Sequence, residues 1–304
     1  MFKVVVFITA CLIGAHGQAE FDPKKKDYCK ITCQKNVHPG CNCTRVGNRL
    51  ELGLKQHAEF RQIILDLHNR ARNLVASGNE TRGELTSASN MMALSYSLEL
   101  EYFARCYMRN RFNGDRYMGN CIVMENGLKA GQNVIGAKGN QSTINWVTNM
   151  FKEWMAEVTL INKTHIDSFF EPSPNEKDFR DFTQIMWATV NEIGCARLYT
   201  PDTNKLKYVK PYVSALICNY GITILKDKNL APNTPGQPVF KRGPPCSDCP
   251  EKLKCNQKYP SLCGEIAAIP TSPPYDLDIS EGVTIKKFKS LTLLVVTISL
   301  SFLL

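Results

Sequence analysis

The sequence predicts an α+β domain stapled by disulfides and exported from the cell. Three observations carry this. Apolar residues recur at helical spacing through the first half of the chain, strand-like runs follow after Phe179, and the 304-residue chain has 13 cysteines, most of them crowded near its two ends. With 43% apolar and 21% charged residues, the chain can bury a sizeable core. That excludes a wholly disordered, collagen-like or polytopic membrane protein.

The N-terminus explains the odd cysteine count. Lys3, the apolar run Val4 to Gly14 and the small-x-small sequence Ala15-His16-Gly17 read as a signal peptide over residues 1–17. Its removal takes Cys11 and leaves an even set. In an oxidising compartment that set reads as disulfides, so Cys29-x3-Cys33, Cys41-x-Cys43 and Cys246-x2-Cys249 are not read as zinc half-sites. Sequons at Asn42, Asn79, Asn140 and Asn162 fit export, with Asn42 expected to be the least accessible because half-cystines flank it.

A cysteine-rich lead spans residues 27–56, too short and polar to hold a core of its own. A first helix is expected from His57 to Ser77, with Phe60, Ile64, Leu67, Ala71 and Val75 on one face and Gly78 as its stop. A second is expected from Met91 to Met108, with Ser89 or Asn90 as cap, and a third from Ser142 or Thr143 through Trp154 and Val158. The stretch from Asn110 to Asn140 is rich in Gly and Asn and reads as a loop. Ile193–Tyr199 and Val209–Tyr220 read as a hairpin that Cys195 and Cys218 can bridge. Residues 240–264, with Cys246, Cys249, Cys255 and Cys263, read as a small stapled appendage in which three pairings are open. Residues 265–282, with Pro270, Pro273 and Pro274, read as an extended stalk.

Residues 283–304 carry a second processing signal. Small residues around Ser280, a spacer with Lys286, Lys287 and Lys289, and the apolar run Leu291 to Leu304 fit a glycolipid-anchor signal, with Ser280 as the attachment residue. As a helix, that run covers about 21 Å, short of the ~30 Å hydrocarbon core, so a tail-anchored helix is the weaker reading. The net charge of +9 falls to +6 once Lys3, the three tail lysines and Glu281 are set aside. No basic stripe interleaved with aromatics is present, so no nucleic-acid partner is expected.

The sequence Phe182-Thr183-Gln184-Ile185-Met186-Trp187 with Gly194-Cys195 resembles the first signature of the CAP superfamily (cysteine-rich secretory proteins, antigen 5, pathogenesis-related 1). Leu216-Ile217-Cys218-Asn219-Tyr220 resembles the second, and His68-Asn69-Arg70-Ala71-Arg72 and Gly131-Gln132-Asn133 resemble two further elements. The ends, Asp27 to Cys33 and Pro245 to Cys263, are similar to the insect antigen 5 (venom allergen 5-like) branch. The resemblance implies a three-layer α-β-α sandwich with a small antiparallel sheet, a CAP domain over 57–225, and disulfides Cys29–Cys41, Cys33–Cys121, Cys43–Cys106 and Cys195–Cys218.

Many members of that family hold zinc with two His and two Glu in a central cleft. The matching positions in this chain are Met118, Gln132, Glu157 and Asp181. Both imidazoles and one carboxylate are missing. A thioether is a soft ligand and a neutral amide a poor one, so neither metal nor other cofactor is expected. The pair Glu157 and Asp181 is the only support for a hydrolase, and no HExxH or GxSxG occurs. His68 is expected to be a buried structural partner, His38 and His57 to be exposed, and His165 to lie in a loop. The reading is a non-catalytic extracellular module. It would bind a small hydrophobic ligand, such as a lipid or sterol, or a protein partner, and a membrane through the glycolipid anchor. A cell-surface adhesion or signalling protein and a weak carboxylate-dependent hydrolase are its rivals.

Overall fold

The computed structural model describes residues 21–33, 36–43, 50–110, 121–137, 143–199, 214–224 and 231–278. The expected signal peptide, Met118, Asn140, the hairpin connection, Ser280 and the apolar tail lie outside the described residues. The elements in order are β1 (Thr32–Cys33), β2 (Asn36–Val37), β3 (Leu50–Leu52), α1 (His57–Ala76), β4 (Ser95–Tyr96), α2 (Leu98–Asn110), β5 (Gly131–Ala137), α3 (Trp146–Ala156), α4 (Lys163–Asp167), α5 (Arg180–Met186), β6 (Glu192–Tyr199) and β7 (Ser214–Gly221).

The sheet runs β3-β6-β7-β5, antiparallel throughout, and the short β4 adds in parallel to β6. Strand alternation divides its side chains between two helical layers. Ala196, Leu198, Ala215, Ile217 and Val134 pack against Ala104, Tyr107 and Met108 of α2. Ile193, Cys195, Leu216, Cys218 and Tyr220 face the larger core shared with α1, α3 and α5. The result is the three-layer α-β-α sandwich. Gly194 lets β6 lie close against α2, because a Cβ there would sit 2.2 Å from the amide nitrogen of Glu101.

Helix α1 forms as its apolar spacing demands, burying Phe60, Ile64, Leu65, His68 and Val75 on one face. The second helix starts later than expected. Met91, Ala93 and Leu94 are buried, but in extended chain whose amides bond to Ala188, Cys263 and Asn191 through Met92, Ala93 and Ser95. An apolar run buried on all sides satisfies either period, and here tertiary hydrogen bonds select the strand. Ser89 and Asn90 cap no helix; both bond to Lys241.

The loop expected between Asn110 and Asn140 contains β5, whose seven residues pair in register with β7. His38 is buried rather than exposed, stacked on Tyr28 and set edge-on against Phe103. His165 lies in α4, where it completes a capping box with Asn162. Asn42 and Asn79 are exposed, and Asn162 is half-buried. Asn42 is therefore open to solvent despite its half-cystine neighbours.

The bridges Cys29–Cys41, Cys43–Cys106 and Cys195–Cys218 form as the resemblance implies. Cys121 is also disulfide-bonded, while the side chain of Cys33 lies outside the described residues. The open pairing in the appendage resolves to Cys246–Cys255 and Cys249–Cys263. Residues 265–278 are extended, as the prolines suggest, but they are fastened along the body: His57, Arg61 and Arg105 bond to main-chain carbonyls of this segment.

Candidate functional site

Of the four candidate cleft positions, Glu157 and Asp181 meet where the turn after α3 reaches α5, Gln132 faces elsewhere, and Met118 lies outside the described residues. Glu157 ends α3, and its carboxylate accepts the amide of Phe182 at 3.0 Å, in the first turn of α5. It therefore satisfies an otherwise unpaired donor of that helix and opposes the helix dipole. Asp181, the preceding residue, is buried, and its carbonyl accepts from the Asn133 amide at 2.9 Å. Gln132 points the other way. Strand alternation turns it to the α2 face, where it donates to Asn219 at 2.9 Å, and Asn219 donates in turn to the carbonyl of Leu100. The structure thus brings Glu157 and Asp181 to one helical turn and sends Gln132 through the sheet.

Beside this turn lies a buried chain of uncharged groups. His68 Nδ1 donates to the Ile64 carbonyl at 2.8 Å, which leaves Nε2 to accept from the Tyr220 hydroxyl at 3.0 Å. Burial pushes the His68 imidazole down to about 3, so it stays neutral at any physiological pH. Tyr220 is pushed well above its ordinary value by burial and then by the nearby Asp181. Its oxygen accepts from Asn133 at 3.4 Å, and Asn133 accepts from Gln184 at 2.7 Å. Gln184 fits because residue 131 is glycine; a Cβ there would sit 2.0 Å from Oε1 of Gln184. These groups hold α1, α5, β5 and β7 together. In the sequence, His68, Asn133, Gln184 and Tyr220 were marked by the motifs they belong to, and His68 as a buried structural partner.

No pair of imidazoles converges on the cleft among the described residues. The one cluster of three potential ligands there is Cys246, Cys249 and Cys263, whose sulfurs lie within 4.8 Å of one another. Each is spent in a bridge, so none is a thiolate.

The profile of the Cysteine-rich secretory protein family, CAP, matches residues 65–220. The chain belongs to this family. The Cysteine-rich venom protein of Tityus serrulatus is 30% identical over 236 residues, 74% of this chain and 50% of that one. The Venom allergen 3 homolog of Dinoponera quadriceps is 30% identical over 226 residues, covering 71% of this chain and 89% of that one. Venom allergen 5 of Polistes dominula is 28% identical over 241 residues, covering 71% and 90%. The chain spans about half the length of the Tityus serrulatus relative and of a similar one from Trittame loki. CAP relatives from such different animals at nearly equal identity define the superfamily and no single branch of it. With its family and its disulfides, the CAP protein is extracellular.

Proposed function

We propose that this CAP protein works by binding, without turnover, and that its target is a small hydrophobic ligand or an extracellular protein. The observation that carries this is the use of Glu157: its carboxylate is committed to the first turn of α5 rather than poised over a substrate. The replacement of both family imidazoles by Met118 and Asp181 supports the same reading. Similarity of both ends to insect antigen 5 proteins supports a place near that branch. Zinc analysis of the purified protein, with Glu157→Gln alongside, tests the proposal. The expected result is no stoichiometric zinc and no hydrolytic activity that the substitution removes. One zinc per chain, or an activity lost in Glu157→Gln, overturns it in favour of the hydrolase reading.

Display at the cell surface is a second reading, supported by the apolar sequence from Leu291 to Leu304 after small residues at Ser280. It would suit an adhesion or signalling role. A phosphatidylinositol-specific phospholipase is expected to release the protein from expressing cells, and retention after treatment argues against the glycolipid.

A further inference from the structure

A groove at the β3 edge, away from the cleft, is built like a receptor for an extended chain. Its floor is Arg61, Arg105 and Arg109, all buried. From below, Glu101 binds Arg61 at 2.7 and 2.8 Å, while Glu51 binds Arg105 at 2.7 Å and Arg109 at 2.9 Å. From above, residues 270–278 present main-chain carbonyls to Arg61 and Arg105. Arg61 donates to Pro270 at 2.7 Å and Ser272 at 2.8 Å, and Arg105 donates to Tyr275. Arg109 pairs with the carboxylate of Asp278. The body thus supplies three positive and two negative charges, and the third negative charge arrives with the strap.

The strap is held differently from the body beneath it. Every residue from 265 to 278 is at least partly exposed. Among the described residues, no main-chain to main-chain hydrogen bond joins this stretch to the rest of the protein. The fit is incomplete. A cavity of about 800 Å3 lies between the strap and the N-terminal segment, with smaller ones of about 40 and 20 Å3 under Pro273 to Tyr275. Ile266, Ile269, Tyr275 and Leu277 pack against the body but stay partly exposed, and exposed chain without main-chain pairing is where proteins open locally. Pro270, Pro273 and Pro274 keep the strap extended at low entropic cost.

We infer that this groove is a recognition site for an extended, proline-rich polypeptide carrying a carboxylate, filled in cis by residues 270–278. Arginines read carbonyls and a carboxylate without demanding particular side chains between them. A tethered occupant competes at an effective concentration of roughly millimolar, so a partner in trans gains the site only once the strap is cut or displaced.

The test uses the full chain, folded and oxidised, with a site-specific protease sequence inserted after the exposed Ala268 and cut only after folding. The probe is a fluorescent peptide with the sequence of residues 269–278. Saturable binding to the cut protein is expected, at least tenfold weaker for the peptide carrying Asp278→Lys and at least tenfold weaker on the uncut protein. No saturable binding to a cut protein with unchanged near-ultraviolet circular dichroism overturns the proposal, as does equal binding by both peptides. Limited proteolysis of the untouched chain provides a second arm. Cleavage within 265–278 is expected well before cleavage in β6 or β7; a strap cut only on global unfolding also overturns the proposal.

Discussion

Arg61 and Arg72 lie about three turns apart on α1 and expose no surface, yet they are held in different ways. Among the described residues, Arg72 has no acidic partner. Its guanidinium donates to five main-chain carbonyls, those of Met92, Ile185, Trp187, Ala188 and Val190. Burial lowers it to about 9, which still leaves it charged at neutral pH. Arg61 is also opposed by burial, but its bonds and charge pairing with Glu101 outweigh that and raise it. One end of α1 stitches permanent body segments together; the other end fastens an accessory strap. Burial alone does not separate the two roles, whereas the identity of the acceptors does.

Arg72→Met attacks the first role and is expected to have the largest effect. Five carbonyls lose their donor at once, so destabilisation of about 5 kcal/mol or more is expected, read as loss of secreted folded protein. Arg61→Met is expected to cost about 3 kcal/mol because Glu101 is left buried without its partner. Its distinguishing sign is early proteolysis within 265–278 while β6 and β7 stay protected. Equal destabilisation with no selective strap cleavage would remove the contrast.

The N-terminal segment gives a smaller, pH-dependent comparison. Tyr28 donates to Glu99 at 2.8 Å, and the Glu125 amide donates to the same oxygen at 2.6 Å. Burial pushes the Glu99 carboxyl up to about 7, against the opposing pull of those bonds and of Lys26; the charge of Glu125 adds to the rise. Because the folded value lies above the ordinary one, Glu99 contributes fully below about pH 4.5 and loses that contribution as pH rises through 7. Glu99→Gln is expected to flatten the Tm–pH curve over that window, by under about 1 kcal/mol after solvent screening. An unchanged curve would detach this carboxyl from the docking of the lead.

Legibility followed the same physics. Helix α1 was legible because one face is apolar and the other polar, and β6 and β7 because they are apolar runs flanking a turn-rich connection. Helix α5 was not, since Asp181 through Met186 are all buried and leave no amphipathic contrast. Strand β5 was hidden by Gly131, Gln132, Asn133 and Gly136, poor strand formers, with the amides of Gln132 and Asn133 bonded to β7 and α5. At the site, the motif resemblance identified Gln132, Glu157 and Asp181 as positions but not their orientations. Which side of the sheet Gln132 faces depends on pairing with Asn219, a partner 87 residues away. The strap was legible as extended chain, but its arginine acceptors are set by contacts more than 160 residues apart in sequence.

The Cys43–Cys106 bridge spans 63 residues, whereas Cys246–Cys255 spans 9. Chain entropy sets the longer ring about 1.7 kcal/mol above the shorter one. The longer ring encircles all of α1 and ends on a buried position of α2. Its two thiols therefore meet once those helices have packed, while the appendage can oxidise as a local event. That bond serves as a latch on the lead: a chain in which it has closed keeps residue 43 beside α2 even where the contacts of α1 loosen.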